Sequence, residues 1–376
     1  MPPTKLENHR TKSTDITRRQ FLKTSAIALS GITLSSCGWR LGDVQTTPVA
    51  NAASDVLYIY TWAGYTDDDL LKRFQKKTGI RIVADVFDSN EAMLARFEAG
   101  GGGAYSVIYP SDYMVVQMRE LGLLTELDHS RIGGISRLRK QFQSPVYDPD
   151  NRYSVPVSWG TTGLIYNPEL LKDEPEDWDY LWTHQDELAK RMTLMNDVRE
   201  VMGATLRSLG YSLNTANPKE VKEAYEKLAQ LKPAIAAFTT DSWRPQMLTG
   251  DLKIAMCYSA DANEVIDEND KLKYVLPKSG ASIWTDTLVI PKSAPNPEAA
   301  YQWIDFMLQP DVAASLVERL SFATPSEDAL NLLTSEVREN EILFPPEYLL
   351  SQCEGIAPVG EFSAVYEQYW TKLTSA

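Results

Sequence analysis

The run Val56-Leu57-Tyr58-Ile59-Tyr60-Thr61-Trp62-Ala63-Gly64-Tyr65, together with Thr66, Leu70, Leu71, Phe74, Gly79 and the stretch from Ile80 to Phe87, decides the fold class. Val56 to Tyr60 is a continuous apolar run of strand length. Thr66 can cap a helix in which Leu70, Leu71 and Phe74 share a face, and Gly79 suits its end. Ile80 to Phe87 reads as a second strand. Strand, helix and strand in this order form a β-α-β unit, which right-handed crossover makes parallel. The pattern repeats with a Ser89-capped helix to Phe97, a strand over 105–109 and a helix over 113–121 that ends at Gly122. Farther on, Asn217-Pro218-Lys219-Glu220 carries the cap, first-turn proline and acid of a helix start. Val221, Ala224, Tyr225 and Leu228 make that helix's buried stripe. The expected class is α/β with mainly parallel sheets.

Two segments read as crossings between lobes. Val155-Pro156-Val157-Ser158-Trp159-Gly160 mixes extended residues with proline and glycine, and Ser282 to Pro291 is an apolar strand with a polar centre at Thr285-Asp286-Thr287. Strands passing twice between two α/β lobes give a hinged clam whose cleft is the natural ligand site. On this reading residues 55–160 plus 286–330 form one lobe, and 161–285 plus 331–376 the other.

The chain of 376 residues is 43% hydrophobic, enough for a sizeable core, and carries a formal charge of −14. Six Lys/Arg and two Asp/Glu fall in the first 36 residues, so the remainder carries −18. Such a body repels nucleic acid and anionic lipid and attracts cations. Nucleic acid is excluded as a partner.

Thr17-Arg18-Arg19-Gln20-Phe21-Leu22-Lys23 is a twin-arginine pattern, and Thr24 to Ser36 follows without a charge. At thirteen residues this stretch is too short for the roughly 20 of a spanning helix, so residues 1–36 read as a signal peptide. Leu34-Ser35-Ser36-Cys37-Gly38 is similar to a bacterial lipobox, which makes Cys37 the expected lipid attachment point and 37–54 a flexible tether. The other cysteines, Cys257 and Cys353, are expected as ordinary thiols rather than a disulfide.

Several chemistries are missing. Gly100 to Gly103 precedes a strand and lacks the Lys-Ser/Thr of a phosphate loop, and there is no Gly-x-Ser-x-Gly elbow. After the signal only His129 and His184 remain, neither beside another good ligand. No metal, cofactor or histidine-based catalysis is expected.

What remains is carboxylate and aromatic chemistry. Trp62 and Tyr65 lie in the first strand-to-helix turn, and Ser111-Asp112-Tyr113 follows the third strand, where open α/β sheets bind ligands. Asp197 and Glu200, Tyr258 with Asp261, and Trp284 with Asp286 complete the set. An aromatic floor with spaced carboxylates suits an elongated organic cation. Asp197 and Glu200 could grip one ammonium from one helix face, or be a solvated helix end with Arg199 neutralising Glu200. Trp62 and Tyr65 read equally as core, and Asp261 as ligand or surface charge. Asp286, inside an apolar strand, requires a partner, either a protein cation or a bound one.

These residues, in this order, resemble the spermidine/putrescine-binding proteins of bacterial polyamine ABC transporters. The anchors are Tyr60-Thr61-Trp62 with Tyr65, Tyr109-Pro110-Ser111 with Tyr113, Ser154-Val155-Pro156 with Trp159-Gly160, Asp197-Val198-Arg199-Glu200-Val201, Trp284-Thr285-Asp286 and Thr324-Pro325. The spacing of Trp178 with Leu181-Trp182 and of Tyr366-Glu367 with Tyr369 and Lys372-Leu373 adds to them. The likeness runs from about Asp55 to Leu373.

The resemblance implies a two-lobed periplasmic-binding-protein fold of type II and a monomeric, non-enzymatic receptor. Such a receptor closes on a polyamine and delivers it to ABC permease subunits with a cytoplasmic ATPase. Carried over by position, Trp62, Tyr65, Ser111, Tyr113, Asp197, Glu200, Tyr258, Trp284 and Asp286 fall on ligand contacts. Asp197 and Glu200 would take one terminal amine and Asp286 the inner nitrogen, with Trp284 and Tyr258 stacking on the chain. Four departures stand out: Gly64 where relatives have an acid, Asp112 where they have a neutral residue, Tyr258 for a Trp, and Phe322 and Ile356 for a Tyr and a Gln. With Asp112 counted as a replacement contact, four carboxylates favour spermidine over putrescine. The alternatives are a receptor for another solute, such as a sugar, and a secreted hydrolase using paired carboxylates.

Overall fold

The structure is a computed structural model that describes residues 55–87 and 89–375. The twin-arginine pattern, the lipid site Cys37 and the tether therefore lie outside the described residues. Strand β1 (Val56–Trp62) leads into α1 (Asp68–Thr78) and β2 (Arg81–Phe87), and β1 pairs with β2 in parallel over its whole length. Asp67 rather than Thr66 caps α1, its carboxylate accepting from the N–H of Leu70 at 2.8 Å. The acid is the stronger partner for the positive end of a helix. Helix α2 (Asn90–Glu98), capped by Ser89, precedes the short β3 (Val107–Ile108) and α3 (Asp112–Glu120).

The spine of the molecule is β4 (Ser154–Tyr166), thirteen residues buried along their whole length. Beyond it come β5 (Met192–Leu194), α4 (Val198–Ser208), α5 (Pro218–Leu231), β6 (Ile235–Phe238), β7 (Ile254–Tyr258), β8 (Lys273–Val275) and β9 (Ser282–Val289). Helices α6 (Pro297–Met307) and α7 (Pro310–Leu320), the short β10 (Glu354–Gly355) and α8 (Ser363–Ser375) follow. Asn217 caps α5 with Pro218 at its first position, as the sequence indicates.

The strands run in the order β2-β1-β3-β9-β4-β7-β5-β6, with β10 beside β9 and β8 beside β4. The flanks are parallel, β1 with β2 and β3, and β5 with β6 and β7. The centre is not: β4 pairs antiparallel with β9 over Ser154–Thr161 and with β7 over Thr162–Tyr166. The expectation of mainly parallel sheets thus holds only away from the crossings. The chain leaves the first lobe on β4 and returns on β9, so the two strands must run in opposite directions.

Two main hydrophobic cores result. One gathers Leu57, Ile59, Phe74, Ile108, Trp159 and Trp303, and the other Leu164, Trp178, Leu194, Val221, Leu228 and Tyr366. Val221, Ala224 and Leu228 of α5 are buried as their spacing indicates. Cys257 and Cys353 are both free thiols.

The turn before β9 is anchored at Gly280, whose carbonyl accepts from the indole N–H of Trp178 at 2.9 Å. Its φ is +89°, and a Cβ there would collide with the carbonyl oxygen of Gln352. Gly280→Ala is therefore expected to cost about 2–4 kcal/mol of unfolding free energy. Urea titration of the variant checks this, and an unchanged midpoint would show that the Gln352 segment gives way freely.

Candidate functional site

Side chains alternate across a strand, so Ser282, Trp284 and Asp286 share one face of β9, and Ile283 and Thr285 the other. Asp286 is buried, with 7% of its surface exposed. Its carboxylate accepts from the hydroxyl of Tyr65 and from Ser111 Oγ at 2.7 Å. The Tyr65 hydroxyl also lies 2.8 Å from Ser158 Oγ, and Ser158 stands directly opposite Asp286 in the β4–β9 register. Burial pushes the Asp286 carboxyl up to about 6, with the two hydroxyl donors opposing the shift. Tyr65 is thus buried, as its core reading has it, and bonded to Asp286 at the same time.

Trp284 faces Gly160 across the register, and a Cβ on Gly160 would run into the indole ring. The missing side chain lets the indole lie against β4. Its ring meets Tyr258 edge-on at 5.8 Å and Phe322 at 6.2 Å, while Phe322 also packs on Tyr65 at 4.8 Å. Trp62, at the end of β1, is half-buried with its ring 4.4 Å from Phe87. The indole nitrogens of Trp62 and Trp284 are buried without a hydrogen-bond partner among the described residues.

From the second lobe, Asp197 caps α4, accepting from the N–H groups of Arg199 at 2.8 Å and Glu200 at 3.0 Å. Glu200 is buried and accepts from Ser282 Oγ at 2.6 Å. Burial first, then the charge of Asp197, pushes its carboxyl up to about 8. Arg199 points elsewhere: its guanidinium donates to Ala357 O at 3.0 Å and Asn214 Oδ1 at 2.9 Å and lies over the Tyr366 ring. The helix end is thus not solvated at Glu200, although the charge of Arg199 acts on both Asp197 and Glu200.

On the first-lobe side, the Tyr113 hydroxyl donates to Glu91 Oε1 at 2.9 Å and accepts from Asn90 Nδ2 at 3.0 Å. Asn90 also holds Ser111 through its backbone N–H and its hydroxyl, both at 3.1 Å. Asp197 feels the charge of Glu91, and Tyr258 feels Glu200 and Asp197, so the acids of both lobes act on one space.

Asp112 does not lie on the face of β9 that carries Trp284 and Asp286, as a replacement contact for the acid missing at Gly64 would require. A β-bridge sets Ser111 against Asp286, so the next residue, Asp112, falls opposite Thr285 on the reverse face of β9. There its carboxylate accepts from the N–H of Tyr113 at 2.7 Å, and Gly355 of β10 closes over it. Burial drives its carboxyl well above the usual range. The Tyr147 hydroxyl is buried in the same vicinity, next to Asp112 and Thr285. Nothing in the sequence around Tyr147 marks it out. Asp261 is paired with Arg244 at 2.6 Å, so its charge is met within the protein.

The second lobe also brings Glu367 to the cleft, opposite Glu91 and Glu120 of the first, along a cavity of about 700 Å3 that Tyr113 and Asp197 border. None of these three acids is among the site residues expected from the sequence, although Glu367 helps to carry the resemblance. Helical spacing on α3 and α8 is the signal that could have found Glu120 and Glu367.

Raised carboxyl pKa values set the sign of the pH response. A carboxyl moved from 4.5 unfolded to about 8 folded binds more protons in the folded state between those values. Stability without added ligand is therefore expected to fall as pH rises from about 4.5 to about 8. Asp286 contributes only the part up to about 6. Glu200→Gln should flatten the slope above that point, read from denaturant midpoints across the range. An identical slope in the variant would remove Glu200 as its source.

Residues 69–345 match the model of the bacterial extracellular solute-binding protein family. The spermidine/putrescine-binding periplasmic protein of Salmonella typhimurium is 36% identical, over 85% of this chain and 92% of that protein. Spermidine/putrescine-binding periplasmic protein 1 of Haemophilus influenzae is 33% identical, over 92% of this chain and 96% of its own. Among solved structures, the spermidine/putrescine ABC transporter substrate-binding protein of Streptococcus pneumoniae superposes with a TM-score of 0.79 at 34% identity, covering 85% of this chain and 99% of that one. These relatives are solute-binding proteins of transporters, not enzymes. With its two-lobed α/β fold and a cleft shared by both lobes, the chain belongs to the family of bacterial extracellular solute-binding proteins.

Proposed function

We propose that this protein captures a polyamine in the cleft between its lobes, spermidine in preference to putrescine, and delivers it to an ABC permease. One observation carries the reading: Asp286 and Ser282, whose hydroxyl holds Glu200, lie on one face of β9, Asp197 acts on Glu200, and the hydrogen bonds that hold the three acids come from hydroxyl and backbone N–H donors. A protonated amine supplies the missing positive charge. The names of the relatives, which specify spermidine and putrescine, support the same ligand class.

In this mechanism Asp197 and Glu200 take one terminal ammonium and Asp286 the inner nitrogen. Trp284 and Tyr258 set their rings against the methylene chain, with Trp62, Tyr65, Ser111 and Tyr113 completing the walls. Asp197, Glu200 and Asp286 together carry more negative charge than the two amines of putrescine can offset, which favours spermidine. A neutral sugar would leave those charges uncompensated, and binding here involves no turnover. The lobes, residues 55–160 plus 286–330 and 161–285 plus 331–376, close by bending at the β4 and β9 crossings. The protein works as a monomer in the periplasm, exported by the twin-arginine route and held to the membrane by lipid on Cys37.

Titration calorimetry with spermidine, putrescine and maltose tests the reading. Saturable spermidine binding near micromolar, about −8 kcal/mol, is expected, with weaker putrescine and silent maltose. Silence with both amines would end it, and heat from maltose would restore the sugar alternative. Asp286→Asn is expected to weaken spermidine by about 2–5 kcal/mol, because one partner of a desolvated charge pair is lost. An unchanged dissociation constant would remove Asp286 from the site.

A further inference from the structure

The cavity of about 700 Å3 is within the size range of small-molecule sites and extends past Tyr113 and Asp197. Two helix faces, one from each lobe, line it beside the start of α4 at Asp197 and the segment around Ile356 and Pro358. Tyr113, Gln117 and Glu120 recur along α3 at intervals of four and three, and Ser363, Tyr366, Glu367 and Trp370 along α8 at three, one and three. Such spacings place each set on one side of its helix. Each face therefore offers the cavity at least one ring and one carboxylate. Among the described residues, Glu120 and Glu367 have no ion-pair partner. Arg199, the cation in the wall, is directed to Ala357 O, Asn214 Oδ1 and the Tyr366 ring.

Resting on the polyamine reading above, we infer that this cavity receives the overhanging aminoalkyl end of a tetraamine whose remaining nitrogens occupy the cleft. Glu120 and Glu367 accept its terminal ammonium, which has three N–H donors to share. The rings of Tyr113 and Trp370 cover the added methylenes. A triamine that ends at Asp197 and Glu200 has no further amine to place between these groups. The two helix faces thus make the receptor selective for the longest linear polyamines, a property separate from its affinity for spermidine.

Calorimetry with putrescine, spermidine and spermine, on the wild-type protein and on the double variant Glu120→Gln/Glu367→Gln, tests this at about 0.15 M salt. Both side chains are exposed, so folding is not at issue. Spermine is expected to bind about three- to tenfold more tightly than spermidine to the wild type, the gain two exposed carboxylates can supply. The double variant should lose that excess while its spermidine constant stays within about twofold. Spermine no tighter than spermidine on the wild type, or an equal weakening of both amines by the variant, overturns the inference and leaves the spermidine receptor standing. Loss of all three amines on the wild type overturns the polyamine reading and this inference with it.

Discussion

A carboxyl group sits in the middle of a buried strand and is held by hydroxyl groups. Asp286 binds Tyr65 from the turn after β1 and Ser111 from the start of α3, with Ser158 of β4 completing the cluster. Four distant segments are thereby tied to one point. Burying such a group without a cation is costly, and an apolar residue of similar size is often the more stable choice. The carboxyl weakens the scaffold and equips the cleft. Its raised pKa is the signature of that compromise.

The antiparallel pairing of β4 with β9 organises the rest. Because the two strands cross between the lobes side by side, alternate residues on one face supply the cleft and those on the other support it. Ser282 reaches Glu200, Trp284 lies over Gly160, and Asp286 meets Tyr65, all from the same face. On the reverse face Thr285 stands with Asp112, under Gly355. Glu354, next to Gly355, is bound to Arg207 at 2.6 Å, so the cover over Asp112 is fixed to the second lobe while α3 carries Asp112 on the first. The lobes touch on both sides of the hinge strands.

The acids share one electrostatic environment. Glu200 is raised by burial and by Asp197, and Asp112 feels both Asp286 and Glu200. Repulsion among them favours protonation, and their burial adds to it. Arg199 spends its hydrogen bonds on Ala357 and Asn214 and offsets these charges only in part.

Local pattern was enough to establish the β-α-β units, the caps at Ser89 and Asn217, the stripe of α5 and the anomaly of Asp286 within an apolar strand. Those features follow from residue spacing and from the cost of burying charge, both of which act over a few residues. Other features needed partners far along the chain: Tyr65 and Asp286 are 221 positions apart, and Ser111 and Asp286 are 175 apart. Only the tertiary structure put Asp112 behind β9, because the bridge of Ser111 to Asp286 and the helix that starts after it carry its carboxylate to the Thr285 side. It alone turned Arg199 away from Glu200, brought Glu120 and Glu367 to one cavity, and made the central strands antiparallel. Sequence spacing says which residues share a face, and long-range register decides what that face looks upon.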